Sequence, residues 1–305
     1  MSIAAGQTQP VPPLSQLREL AADIKLSHSI FALPWAMLSA FLAAGVNPRG
    51  IRFVGQLALI LLCMIFARTV AMAANRLLDA KLDATNPRTA RRAIPSGRLS
   101  KSFATISMLA CGFAFIFATS LFGFLYNNWI PLICSVPVLL FISAYPFLKR
   151  FTRLCHYYLG ACLALAPVCA WVAVAGNVTI TPFIMAAAVL CWTAGFDIIY
   201  ACQDYESDRQ TGMFSVPAKL GIAGALWVAR LTHIACIAVL IALGFHVPQF
   251  DTTYAAAVAI AAMLLTVEHF LVKPNDLSKV NLAFFTINGV ISLVIGAMGI
   301  IDIYV

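Results

Sequence analysis

Nine apolar stretches, each close to the twenty residues that a helix needs to cross a bilayer, run along the chain: 26–45, 53–74, 102–122, 129–147, 156–175, 181–201, 222–244, 252–271 and 281–302. The polar segments between them are too short to fold as a soluble domain. The pattern predicts an all-α, multispanning membrane bundle of nine transmembrane helices occupying residues 23–305, preceded by a short polar tail over 1–22. That tail contains prolines and no basic start leading directly into an apolar run, so it reads as cytoplasmic tail, not as a signal peptide. The link around Gly176 and Asn177 is so short that the helices on either side must be antiparallel neighbours.

Composition agrees. Of the 305 residues, 62% are hydrophobic and only 10% charged, where soluble domains carry about 25% charged residues. The chain is expected to live in the lipid bilayer. Its net charge of +8 does not call for nucleic acid, because in a membrane protein the placement of the bases matters more than their sum. Arg18 and Lys25 precede the first stretch. Arg76, Lys81, Arg88, Arg91, Arg92, Arg98 and Lys101 surround the loop after the second. Lys149, Arg150 and Arg153 follow the fourth, Arg209 and Lys219 the sixth, Lys273 and Lys279 the eighth, whereas the alternate loops hold only Arg49 and Arg52. The positive-inside rule then places the N-terminus in the cytoplasm and the C-terminus outside. Seven of the nine cysteines lie in apolar stretches without CxxC or Cys/His spacing, as expected of small packing residues.

The acids change the picture most. Of 12 Asp and Glu in the chain, six (Asp79, Asp83, Asp197, Asp204, Glu206 and Asp208) fall in two short segments. Asn75, Asp79 and Asp83 step by four residues, and so do Tyr200, Asp204 and Asp208, so each trio is expected to lie along one stripe of a helix. The second trio repeats the first 125 positions later. Helices one to four and five to eight therefore read as two four-helix repeats in parallel orientation, with the ninth added, and both stripes emerge on the cytoplasmic side. Repeats of this kind commonly enclose a central cavity.

Carboxylate and amide oxygens are hard ligands that suit Mg2+, which completes its shell with water and substrate phosphates. The bases beside the acids, Lys81, Arg88, Arg92, Lys149 and Arg150, are placed to take diphosphate oxygens; Lys101, Arg153, Lys273 and Lys279 are accounted for by the positive-inside rule. Arg68 lies two turns deeper on the face of Asn75, where a charge inside a span is costly and reads as functional, on an acceptor carboxylate or on the diphosphate. Tyr145 and Tyr200 either contact substrate or cap the cavity. Arg230 reads as structural, and His156, His233 and His269, each alone near an apolar helix, read as packed or hydrogen-bonded residues.

These segments carry a family resemblance. Asn75-Arg76-Leu77-Leu78-Asp79-Ala80-Lys81-Leu82-Asp83 resembles the NxxxDxxxD motif of the UbiA superfamily of intramembrane prenyltransferases, and the segment from Asp197 to Asp208 resembles its DxxYAxxDxxxD motif. The stretch from Arg88 to Gly97 is similar to the family's RTxxRxxPSG loop, and Tyr145 to Thr152 to its YPxxKRxT stretch. The resemblance implies Mg2+ held by Asn75, Asp79, Asp83, Asp204 and Asp208, a polyprenyl diphosphate engaged by Lys149 and nearby arginines, and transfer of the polyprenyl group to an aromatic acceptor. Asp197 would steady the prenyl cation or take the acceptor's phenolic proton. Within the superfamily the chain most resembles the 4-hydroxybenzoate polyprenyltransferase-like branch of bacterial ubiquinone and menaquinone synthesis, His28 to Pro34 and Phe196 to Tyr200 resembling the futalosine-route menaquinone group. Haem- and chlorophyll-type acceptors share the metal motifs. A transporter also fits repeats with intramembrane charge, but its sites belong near the midplane, and these acids lie at helix ends.

Overall fold

The computed structural model describes residues 12–24, 26–46 and 50–305. Lys25, Arg49, the side chain of His28 and residues 1–11 of the expected tail lie outside the described residues. Among those described there is no β-strand. Among the described residues eight helices are long and apolar enough to cross a membrane, and a bent pair, Pro13–Phe31 with Leu33–Ala44, passes the same test when taken together.

In chain order the elements are α1 (Pro13–Ile24), a 3-10 turn (Leu26–Phe31), α2 (Leu33–Ala44), α3 (Gly50–Thr85), α4 (Lys101–Tyr126), α5 (Ile130–Leu148), α6 (Cys155–Ala175), α7 (Thr181–Ala201), a 3-10 turn (Cys202–Asp204), α8 (Tyr205–Thr211), α9 (Val216–His246), α10 (Thr252–Leu271) and α11 (Val280–Asp302). The expected tail is part of the fold from Pro13 onward. Leu20 and Ile24 of α1 are buried with Ala80, Ala93, Ile94 and Leu99, Asp23 sits 3.4 Å from Arg76, and Glu19 accepts a hydrogen bond from Arg98 at 2.9 Å. A segment too polar to read as a span is thus held by its own amphipathic face.

Two elements depart from the hydropathy pattern in ways that shape the site. α3 continues beyond its apolar stretch to Thr85, ending where Pro87 disfavours helix for the residue before it. The extension carries Asn75, Asp79 and Asp83 in one helical register. The second acidic segment is not a continuous helix. A 3-10 turn at Cys202–Asp204 leaves Asp204 at φ −99°, ψ 8° before α8 resumes, so Tyr200, Asp204 and Asp208 do not share an ideal α-helical stripe.

α2, α7, α9, α10 and α11 enclose the larger core, where Phe31, Trp35, Trp192 and Phe196 interlock. Polar side chains inside it bond to one another. Asn288 accepts from Trp192 Nε1 at 2.7 Å and donates to Glu268 at 2.9 Å, and His233 and His269 pair at 3.0 Å, hydrogen-bonded as expected, with each other as partners. Arg230 stacks 4.8 Å over Trp227, a structural contact as expected. Large apolar side chains such as Phe113, Phe117, Leu140, Leu231 and Phe270 point outward, as a lipid-facing surface requires.

The short link predicted between antiparallel neighbours is a left-handed cap at Gly176, φ 68°, and α6 and α7 then pack closely. At Gly160 a Cβ would sit 2.5 Å from the Leu190 carbonyl oxygen. Backbone cannot yield as a side chain can, so Gly160→Leu is expected to force these helices apart at a cost of about 1–3 kcal/mol. Thermal unfolding of the detergent-purified protein checks this; an unchanged midpoint would mean that the helices are not in such close contact.

Candidate active site

A cavity of about 520 Å³ opens within the helix bundle. Its polar end gathers Asn75, Asp79 and Asp83 from α3, Arg88 and Arg92 from the following loop, Lys149 from the end of α5, and Asp197, Tyr200, Asp204 and Asp208 from α7 to α8. Its other walls are apolar and include Ile60, Met64, Phe115, Phe122, Ile142, Leu163 and Ala170. From Ile60 to Asp83 the backbone of α3 rises about 35 Å at 1.5 Å per residue, comparable to the hydrocarbon thickness of a bilayer.

Each of three acids is held by a base from elsewhere in the chain. Lys149 Nζ lies 2.5 Å from Asp79 Oδ2, and Asp79 is only 1% exposed. Arg92 Nη1 donates to both oxygens of Asp83 at 2.7 and 2.8 Å. Arg88 grips Asp204 as a fork, Nε to Oδ1 at 2.8 Å and Nη2 to Oδ2 at 2.5 Å, while its Nη1 reaches the Tyr200 hydroxyl at 3.1 Å. Burial pulls the Arg88 guanidinium down, but its Asp204 hydrogen bonds and the nearby negative charge leave it above its usual value. Asn86 adds a hydrogen bond to Asp204 at 3.0 Å, and Thr89 donates to the Asp83 carbonyl at 3.1 Å.

Among the described residues no three His, Cys, Asp or Glu side chains converge as a ready metal cage. The oxygen donors instead face one cavity while sharing their charge with bases. This donor set fits a hard divalent cation arriving with an anionic substrate. The bases can transfer to the anion, and the carboxylates so released are all-oxygen ligands of the kind Mg2+ takes.

Two expected substrate contacts are placed elsewhere. Lys81 is exposed and does not line the cavity; two residues beyond Asp79 is about 200° around a helix, so nearness in sequence puts it on the opposite face. Arg150 stands behind the cavity wall, donating to the Leu78 carbonyl at 2.8 Å and lying 3.5 Å from Asp79. Arg68 and Tyr145 do line the cavity, and Arg68 also donates to the Ile24 carbonyl at 3.3 Å.

A protein-family comparison decides what kind of cavity this is: residues 32–290 match the model of the UbiA prenyltransferase family. The chain belongs to that family. A curated relative, 4-hydroxybenzoate octaprenyltransferase of Tolumonas auensis, is 29% identical over 95% of this chain and 96% of its own length. Among solved structures, the apo UbiA homologue of Aeropyrum pernix K1 superimposes with a TM-score of 0.80 at 29% identity, over 91% of this chain and 98% of that one. The UbiA homologue of Archaeoglobus fulgidus bound to GPP and Mg2+ has the same fold, with a TM-score of 0.70 at 16% identity, over 94% and 100% of the two chains. The chain is a UbiA-family prenyltransferase of the membrane.

Sequence reasoning missed His156. It lines the UbiA-type cavity, is 3% exposed, and its Nδ1 lies 2.7 Å from Asp197 Oδ2. Its position at the edge of an apolar stretch gave no sign of this, since the partner is on another helix. The roles of Asn86 and Thr89 were hidden for the same reason, although both sit inside or beside the loop that resembled the family's own.

Proposed function

We propose that this chain transfers a polyprenyl group from polyprenyl diphosphate to an aromatic acceptor such as 4-hydroxybenzoate, with Mg2+, in the synthesis of ubiquinone or menaquinone. The observation that carries this reading is the meeting of three acid–base pairs at one end of a deep apolar cavity. Apolar depth suits an isoprenoid chain, and the mouth can exchange its internal ion pairs for a metal-bound diphosphate. The names of the relatives and the GPP and Mg2+ of the Archaeoglobus protein point the same way.

In this reading Asn75, Asp79, Asp83, Asp204 and Asp208 hold the metal, whose charge, when bound, makes the diphosphate a better leaving group. Lys149, Arg88 and Arg92 turn from their carboxylates toward the diphosphate oxygens, and Arg150 keeps Asp79 in place. Negative charge developing on the departing diphosphate is met by donors already oriented at the mouth. Tyr200 and Tyr145 line the wall where prenyl C1 meets the acceptor ring, Arg68 takes the acceptor's carboxylate, and Asp197 receives the proton lost from the acceptor.

The bent helix pair supplies a ninth span, and the four-plus-four repeat accounts for the placement of the two acidic segments. Base-rich loops then put the N-terminus and the active site on the cytoplasmic side of the bacterial inner membrane. Residues 23–305 form the catalytic unit, with the part of α1 that precedes it packed against its base.

Membranes carrying the chain, given labelled polyprenyl diphosphate, 4-hydroxybenzoate and Mg2+, are expected to yield a C-prenylated benzoate, and none with EDTA. Prenylation of a different aromatic acceptor would relocate the substrate. Product unaffected by EDTA would remove the metal from the proposal.

A further inference from the structure

We propose that His156 is a positioning residue that orients the Asp197 carboxylate for proton removal from the acceptor; this rests on the prenyl-transfer reading above. Both ring nitrogens of His156 are engaged. Nε2 lies 3.2 Å from the backbone nitrogen of Val216, and a backbone N–H can only donate. Nε2 is therefore the acceptor of a neutral imidazole, and Nδ1 carries the hydrogen that it donates to Asp197 Oδ2 at 2.7 Å. The Val216 N–H belongs to the first turn of α9, where helix donors lack intrahelical partners; the Ser215 hydroxyl accepts from Ala218 N at 3.2 Å in the same turn.

The ring thus transmits a fixed backbone direction from α9 to a carboxylate on α7. With both nitrogens committed, His156 is not itself a proton acceptor for substrate. Asp197 retains 13% side-chain exposure and lines the cavity three residues before Tyr200. In the transfer, a carbon of the acceptor ring bonds to prenyl C1 as the C1–O bond breaks and its electron pair leaves with the diphosphate. The hydrogen on that ring carbon departs as a proton to Asp197, which restores aromaticity. A carboxylate free to rotate would meet that proton less often, so orienting it raises kcat and not affinity for the diphosphate.

The histidine has two bonds, and substitutions separate them. Asparagine places its amide near Nδ1 and keeps the bond to Asp197. Glutamine reaches the Nε2 position and keeps only the tie to Val216. His156→Phe is expected to lower kcat by up to about 100-fold, the size of loss that misplacing a reacting group brings, with KM for polyprenyl diphosphate unchanged. His156→Asn is expected to retain more activity than His156→Gln. In an Asp197→Asn background His156→Phe is expected to add no further loss, because residues acting through one another are not additive. An equal loss in both backgrounds, or His156→Gln matching or exceeding His156→Asn, would overturn the proposal. If His156→Phe does not accumulate in membranes, the asparagine and glutamine variants decide it alone. Wild-type turnover in the same assay keeps the questions apart, since its absence would count against prenyl transfer itself.

Discussion

Replacing Asp79 or Asp204 with alanine is expected to lower turnover at least about 1,000-fold while the protein still reaches the membrane. One decade of rate is 1.36 kcal/mol, so the loss corresponds to roughly 4 kcal/mol of transition-state stabilisation. Both acids are proposed metal ligands, and each also holds the base that is to receive the diphosphate. Asp79→Ala removes a carboxylate that is 1% exposed and leaves Lys149 without it; Asp204→Ala releases the Arg88 fork. Each change strikes metal and leaving-group binding together. Turnover in membranes, normalised to the amount of protein by immunoblot, checks this. Activity within tenfold of wild type in either variant would remove that acid from the metal site.

Arg88 has the second largest expected effect. Its guanidinium touches Asp204 at two points, meets the Tyr200 hydroxyl and stacks 5.3 Å over the Tyr200 ring. It therefore connects the loop after α3 to the second acidic segment across the mouth of the cavity. Arg88→Ala is expected to cost about 100–1,000-fold in kcat, in the range for loss of one preorganised donor to developing negative charge. Arg88→Lys is not expected to rescue it fully, because an ammonium cannot reproduce a planar, two-point contact. Steady-state kinetics of the two variants separate charge from geometry. A lysine variant equal to wild type would reduce Arg88 to a simple positive charge.

Much of this was legible in the chain. Apolar runs marked the spans because a bilayer allows little else, and the fourfold spacing of Asn75, Asp79 and Asp83 survives intact because α3 continues through them. The second trio was less faithful. Its spacing is the same, but the 3-10 turn at Cys202–Asp204 breaks the helix, and nothing in residue spacing encodes that turn. Pairing was also hidden. Lys149 and Asp79, or Arg88 and Asp204, are brought together only by packing of distant helices, so the sequence displayed acids and bases without showing that they neutralise one another. Lys81 stands off the cavity for a plainer reason: two residues beyond Asp79, helical phase turns it to the opposite face. For His156 the sequence supports a packed or hydrogen-bonded residue but not its partners, because Asp197 and Val216 are supplied by two other helices.

The central claim is that the mouth of the cavity exchanges internal ion pairs for a metal-bound diphosphate. The most direct measurement is binding of an unreactive polyprenyl thiolodiphosphate to the purified protein, with Mg2+ or with EDTA, in the wild type and in Asp79→Ala and Asp204→Ala. The account predicts binding that requires Mg2+ in the wild type and is weakened at least about tenfold, or 1.4 kcal/mol, in both variants. Equal affinity with Mg2+ and with EDTA, or variants that bind as the wild type does, would contradict it.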